Sequence, residues 1–439
     1  MNPHVLRLLL RPTPGQNAVL ALPIVAFALV TTLVLTVVGG AQSFWSWTDD
    51  MAGLYQALAA IALVLLVVPL AGLGGAAARL SARRRDERLS TLRLLGVTPA
   101  GVGIATVVES LLVAGIGAVV GVLGSVALSP LIGLIPFRGE PLGLTSVLLP
   151  PLTVIAVVAG ILLIAAGSAA LGLRRVAISP LGVRMRSTVS TVHWFRAVIA
   201  VAVLVLAFVL ITVFPSIAGL TTTIVVLAGL FAAALAVLNV LGPWVLKITA
   251  TRQLRRAERP ERLLAARTVL DSPKAAWRQV SGISMASFMA VFAGTGVSLL
   301  SLMDGEGSSQ DATLIADIRT GLIITLVGSF LMVAASVGVN QAAAILDERE
   351  LHRSLHDLGV PLETVDAARR RAIMSPLLIT AIGSALCAAA LVLPLLGIAL
   401  ITAPISLITI AAVVAIGVGV VWTTTRITRP LLARSFQAA

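Results

Sequence analysis

A chain of 439 residues that is 58% hydrophobic and 12% charged, with a mean hydropathy of +1.04, is excluded from the water-soluble class, in which about a quarter of residues carry charge. Its net charge of +13 would suggest nucleic acid in a soluble protein. Here the basic residues recur between alternate apolar stretches, as positive-inside topology requires, so no nucleic-acid partner is expected.

Ten apolar runs are long enough to cross a bilayer as helices, at 18–40, 54–77, 104–130, 150–172, 197–215, 222–245, 282–302, 320–344, 374–397 and 403–425. Short alternating strands of the barrel type are missing, so the fold class is all-α and the spans are helical. Arg7 and Arg11 precede the first run, which extends from Ala18 to Val38. That is longer than the apolar core of a signal peptide, and it reads as a retained span.

Every lysine and arginine except Arg138 and Arg319 falls in the segments 1–17, 78–103, 173–196, 246–281, 345–373 and 426–439. Those segments are expected on the cytoplasmic side, together with both termini. The opposite loops hold Asp49, Asp50, Glu140, Asp304, Glu306, Asp311 and Asp317. The longest of them, 131–149 and 303–319, have room for a turn or a short helix. The scarcity of lysine and the abundance of alanine hint at a GC-rich bacterial genome, so the expected location is a bacterial cytoplasmic membrane.

After the second span comes "DERLSTLRLLGV", Asp86 to Val97. Leu89, Leu92 and Leu95 recur at helical spacing with Arg85, Arg88 and Arg93 elsewhere on the wheel, predicting a short amphipathic helix. Gly96 stands where a left-handed stop is needed, and Thr98-Pro99 opens the next helix. After the eighth span "ERELHRSLHDLGV", Glu348 to Val360, repeats the pattern. In the frames starting at Glu87 and Glu350, both read as a glutamate, four residues, a leucine, two residues, then Leu-Gly-Val. In the second copy Leu351, Leu355 and Leu358 form the stripe, Gly359 is the stop and Pro361 follows.

The repeat divides the chain into a first four-helix unit at 1–180, a central two-helix linker at 181–250 and a second four-helix unit at 251–439. An even number of spans separates the copies, so the two units share one orientation. The lead-ins "HVLRLLLR" and "ERLLAARTVLDSPKAAWR" have the composition of amphipathic helices lying along the inner surface. Matching leucine helices on two like-oriented units suit a partner with two equivalent surfaces, such as a dimeric ATPase. The chain has no G-x-x-x-x-G-K-[ST] loop, so nucleotide hydrolysis would belong to another subunit and no catalytic residue is expected here.

"RRRDERLSTLRLLGVTPAGVGIATVVES" and, less closely, "DERELHRSLHDLGVPLETVDAARRRAI" resemble the conserved segment of FtsX-like permeases, the membrane subunits of type VII (MacB-superfamily) ABC transporters. The ten-span layout resembles that of the bacitracin-export (BceB-like) permeases. The resemblance implies a coupling helix in each unit that docks on a cytoplasmic ABC ATPase, two copies per permease chain, with ATP and Mg bound by that partner and no cofactor in this chain. By position, Glu87, Leu92, Leu95 and Gly96 would form the first coupling site, and Glu350, Leu355, Leu358 and Gly359 the second. Glu109 matches a family glutamate entering the third span; the equivalent place in the second copy is Ala372. The large extracytoplasmic domain of the bacitracin-type permeases is replaced by Met303 to Arg319 alone.

The basic first motif and the acidic second one, with Asp347, Glu348, Glu350, Asp357, Glu363 and Asp366, predict unequal contributions from the two docking sites. Two readings of Glu109 stand side by side, a functional carboxylate in the bilayer and an interfacial or capping group. Gly117 and Gly121, in G-x-x-x-G spacing and followed by Gly124, predict close packing of the third span on a neighbour. Asn239 and Asn340 are read as hydrogen-bonding glue between helices. His352 and His356 share a helix face without a third ligand, and lone Cys387 makes no cysteine site, so no metal is expected. Ser168, Ser329 and Ser384 lack a histidine within any span to activate them.

The expected function is therefore export or extraction of a lipophilic compound, an antimicrobial peptide or lipid, or transmission of force to a membrane partner. The alternative is a secondary transporter, which would need an ion site in the bilayer and no ATPase.

Overall fold

The computed structural model describes residues 17–49, 51–94, 99–178, 220–303, 309–347, 351, 354–355, 357–393, 396–397, 404–430 and 432–433. These residues are almost all helical. The helices are α1 (Asn17–Gln42), α2 (Ala52–Leu94), α3 (Pro99–Gly133), α4 (Leu144–Val147), α5 (Pro151–Ile178) and α6 (Leu220–Arg255). They continue as α7 (Pro260–Asp271), α8 (Pro273–Met303), α9 (Ser309–Asp347), α10 (Leu362–Leu391) and α11 (Pro404–Ile427). Two-residue strands β1 (Pro136–Phe137) and β2 (Glu140–Pro141) pair in an antiparallel hairpin.

Among the described residues seven helices are long and apolar enough to cross a membrane, or eight when bent α2 is taken as one span. The apolar part of α11, Ala411–Ile427, is shorter, and the expected span at 197–215 lies outside the described residues. The chain is an all-α polytopic membrane protein. Its helices overrun the spans expected from apolar runs. Charged residues end a hydrophobic run without ending a helix, because arginine and glutamate are good helix formers. Thus α2 runs for 43 residues, about 65 Å at 1.5 Å per residue, roughly twice the hydrocarbon thickness. The ninth span was expected at 374–397, but α10 starts at Leu362 and ends at Leu391. Its first turns carry Glu363, Asp366, Arg369, Arg370 and Arg371 ahead of the apolar run.

The chain divides into two compact units, 1–186 with 334–349, and 187–333 with 350–439. The division runs through α9. In the first unit α1 packs most extensively on α3. Its core joins Ala26, Phe27 and Val30 of α1 to Leu73, Ala76 and Ala77 of α2, with Ala114, Ile161, Ala165 and, from the end of α9, Val339 and Ala343. Small residues dominate because helices in lipid associate by close backbone approach rather than by hydrophobic drive. In the second unit α8 packs most extensively on α10. There Phe288 lies buried among Ala234, Leu238, Ala388 and Leu391, and its ring meets Phe231 with centroids 5.5 Å apart.

The lead-in to the eighth helix folds as α7, opened by Pro260 at its first turn and separated from α8 at Ser272. It buries Ala265, Ala266 and Val269 and packs on α10 and α6. The first lead-in, 4–11, lies outside the described residues.

Candidate functional site

The second motif makes a tight helical stop. Gly359 has φ 76°, a left-handed conformation that costs any residue with a Cβ about 1–2 kcal/mol. Around it the Val360 N–H donates to the Leu355 carbonyl at 3.0 Å and the Leu358 N–H to the Ser354 carbonyl at 3.1 Å. The six-to-one bond and the left-handed glycine are the Schellman arrangement that satisfies a helix's last carbonyls. Pro361 then precedes α10, and the Thr364 N–H closes its first turn on the Pro361 carbonyl at 3.0 Å. The turn leaves Leu358 79% exposed and Leu351 exposed, while Leu355 is half-buried. Glu350, His352 and His356 lie outside the described residues.

The first motif was expected to form a separate short helix after the second span. Instead α2, bent by 42° between Val67 and Pro69, runs on to Leu94, so Glu87 and Leu92 ride on the span's own extension. No proline lies between Pro69 and Leu94 to stop it. Leu95 and Gly96 lie outside the described residues; α3 starts at Pro99.

Close to the second turn lies a charge cluster that sequence reading missed. Asp366, one turn into α10, has only 3% of its side chain exposed. Arg369 reaches its Oδ1 at 2.9 Å, and Arg370 and Arg429 reach its Oδ2 at 3.2 and 3.9 Å. Arg369 also donates to Thr428 Oγ1 at 2.6 Å and to the Thr425 carbonyl at 3.1 Å, tying α10 to the end of α11. Arg371 turns toward Glu261 of α7, 3.7 Å away. Asp366 is thus withdrawn from the acidic surface that the sequence suggested for the second motif. The signal available was the string "DAARRR", whose i, i+3 and i, i+4 spacings bring a helical acid to two of its three arginines.

In the first unit the turn after α1 meets the β1–β2 hairpin. Arg138 bridges to Asp49 at 3.0 Å, and its guanidinium lies 4.0 Å from the Trp47 ring and 4.6 Å from that of Tyr55. Phe44 stacks edge-on against Phe137 with centroids 5.0 Å apart. The hydrogen bond from Arg138 holds the Asp49 carboxyl below its ordinary value. Arg138 is accordingly neutralised in place, a cation on aromatic faces with a carboxylate beside it.

Gly117 and Gly121 of α3 face α1. A β-carbon on Gly117 would lie 2.6 Å from Phe27 Cβ and 2.8 Å from the Ile24 carbonyl oxygen, and one on Gly121 would collide with Thr31. Glu109 is half-buried on α3, near the start of the apolar stretch Val107–Gly133. It stands more than two turns beyond the helix start at Pro99, away from the free N–H groups of the first turn. Asn239 accepts from Trp277 Nε1 at 2.7 Å, joining α6 to α8, whereas Asn340 donates to Ser336 on its own helix at 3.4 Å. Among the described residues no group of three histidine, cysteine or acidic side chains is placed to hold a metal.

This arrangement of long helices, a leucine-glycine turn at the end of a span and a glycine-lined helix pair is accompanied by a direct sequence match. Residues 59–181 match the family model described as FtsX-like permease C-terminal. That segment is an FtsX-like permease domain. The match begins in α2, contains the whole first motif and runs through α3 and α5, so the FtsX-like domain supplies most of the first unit. An FtsX-like domain belongs to a membrane permease subunit of the ABC type, a class whose membrane chains are generally non-catalytic. No curated protein and no solved structure matches the chain.

Proposed function

We propose that this chain is the membrane subunit of an ABC transporter that works with a separate cytoplasmic ATPase dimer, one ATPase docking at each repeated turn. The observation that carries the reading is that the FtsX-like match encloses Glu87–Val97, the segment whose spacing recurs at Glu350–Val360. Two further features favour it. In each unit the first and third helices of the expected four-helix repeat form the most extensive pair, α1 with α3 and α8 with α10. At the second turn the exposed Leu358 and Leu351 are apolar groups on a helix end, the kind of knob a hydrophobic groove accepts.

In this reading the ATPases bind ATP and Mg, and their closure pushes on Glu87, Leu92, Leu95 and Gly96 in one unit and on Glu350, Leu355, Leu358 and Gly359 in the other. Between Pro69 and Leu94 α2 holds no further proline, so a push on the motif is carried along the helix as far as the bend at Pro69. The membrane is a bacterial cytoplasmic membrane with both turns and both termini inside, in the ten-span layout of two like-oriented repeats joined by a central pair. The work done is export or extraction of a lipophilic compound, such as an antimicrobial peptide or lipid, taken laterally from the bilayer, or transmission of force to a membrane partner. The outer hairpin 136–141 and the turn 43–46 offer little to hold a soluble ligand.

The test is co-purification with a co-expressed cytoplasmic ABC ATPase from the same genome, comparing wild type with Leu92→Glu and Leu358→Glu. Loss of the ATPase from both variants, with the permease still monodisperse, is the expected result. Retention of the ATPase at full stoichiometry by both would overturn the docking assignment.

A further inference from the structure

The arginine cluster of the second unit holds more positive charge than its own carboxylate balances. Asp366 is shared by Arg369, Arg370 and Arg429. Arg369 has 11% of its side chain exposed and is engaged with Thr428 and the Thr425 carbonyl as well, so it is a structural cation. Arg370 and Arg429 are different. Both approach the same oxygen, Asp366 Oδ2, and their side chains remain 31% and 56% exposed. Three residues before Arg429, near the end of α11, Arg426 lies 3.7 Å over the face of Trp422. Trp422 is 39% exposed and Ile427, beside Arg426 in the chain, is 73% exposed. Guanidinium groups on the accessible side and bare apolar surface therefore meet at the end of an apolar helix.

We propose that Arg370, Arg426 and Arg429 bind the phosphate of an anionic phospholipid headgroup, with Trp422 and Ile427 against its glycerol and upper acyl chains. Guanidinium is suited to this because its planar donors match phosphate oxygens in pairs. A phosphate placed between Arg370 and Arg429 relieves the repulsion that one carboxylate leaves uncompensated. The apolar surface selects the source: a free phosphate ion leaves Trp422 and Ile427 bare, whereas a lipid covers them. A tryptophan at the end of a span is also the side chain expected at headgroup level. The first unit lacks this set. At the matching places in the motif frame, Asp366, Arg369 and Arg370 are replaced by Gly103, Thr106 and Val107. The lipid site belongs to one unit only. It rests on the inner-face placement proposed above, and a lipid measurement in detergent neither needs nor tests the ATPase.

The test uses the full chain in detergent, titrated with phosphatidylglycerol or phosphatidylcholine carrying brominated acyl chains. The Trp422 signal is the fluorescence difference between wild type and Trp422→Phe. Phosphatidylglycerol is expected to quench it at lower concentration than phosphatidylcholine, by roughly fivefold for each engaged arginine. The preference should fall in Arg429→Gln and in Arg426→Gln, and persist in Arg429→Lys, which keeps the charge. Inorganic phosphate at millimolar concentration should leave the quenching unchanged. Equal quenching by the two lipids, a preference intact in both glutamine variants, or displacement by inorganic phosphate would each overturn the proposal. Should Arg426→Gln disturb the fold, Arg429→Gln alone decides, because Arg429 is the more exposed of the two groups on Asp366 Oδ2.

Discussion

Gly121 of α3 sits so close to Thr31 of α1 that no β-carbon fits between them. One residue along, Thr32 Oγ1 donates to the Gly121 carbonyl at 3.1 Å. The absent side chain and the hydrogen bond depend on one another, since only a glycine lets the helix backbones approach near enough for a threonine to reach a carbonyl across the pair.

Replacing Gly121 with valine should force α1 and α3 apart and cost about 1–3 kcal/mol, the range for overpacking a close contact. Gly115, on the same helix, has nothing near it that a β-carbon would meet, and Gly115→Ala should be neutral or slightly stabilising. Thermal unfolding in detergent would compare them. Equal tolerance at the two positions would mean that α1 and α3 are not so tightly apposed.

The Trp277 Nε1 to Asn239 Oδ1 hydrogen bond links α8 to α6 at 2.7 Å. Trp277→Phe and Asn239→Leu should each lower stability, with a coupling of about 0.5–1.5 kcal/mol in a double-mutant cycle, as for polar pairs between membrane helices. Strict additivity would remove the pair from the account.

Asp366→Asn should be the most damaging single change considered. It leaves Arg369 without its carboxylate, and breaking a buried ion pair by removing one partner costs about 3–5 kcal/mol. A variant as stable as wild type would show that the cluster is dispensable to the fold.

The Arg138–Asp49 bridge has a defined pH dependence. Arg138 lowers the Asp49 carboxyl from its ordinary 3.8, so the folded state holds this proton less tightly than the unfolded chain. Its stabilisation is complete above that ordinary value and is lost as pH falls through the lowered one. The difference in unfolding temperature between wild type and Asp49→Asn should stay level from about pH 7 to about pH 5 and close only in strong acid. Closure near neutral pH would contradict the assigned bridge.

At the second turn two substitutions separate shape from contact. Gly359→Ala places a β-carbon at φ 76° and should cost about 1–2 kcal/mol, loosening the turn. Leu358→Glu alters an exposed side chain and should leave stability within about 0.5 kcal/mol. With the ATPase present, both should depress stimulated ATP hydrolysis. A change confined to Gly359→Ala would mean that the turn matters only to the fold.

Several expectations failed for one reason. The separate helix expected at Asp86–Val97 and the span start expected at 374 were both drawn where hydrophobic runs stop. Helices stop where backbone geometry stops them, as at Gly359 with its left-handed φ, and a run of arginines imposes no such limit. Asp366 was legible only as one more acid in an acidic stretch, because its surroundings depend on Thr425, Thr428 and Arg429, more than fifty residues away at and just beyond the end of α11.

The sequence by itself determined that this chain is a helical membrane protein, that a short leucine-glycine motif occurs in it twice, and that Gly117 and Gly121 form a face on which something packs. Those properties follow from composition and local spacing, which each segment carries alone. Only the tertiary structure decided which helix meets the glycine face, that Arg138 rests between Trp47 and Tyr55, and that three arginines share one aspartate. Each of these joins residues distant in the chain, and their energies of contact and charge exist only once the helices are side by side.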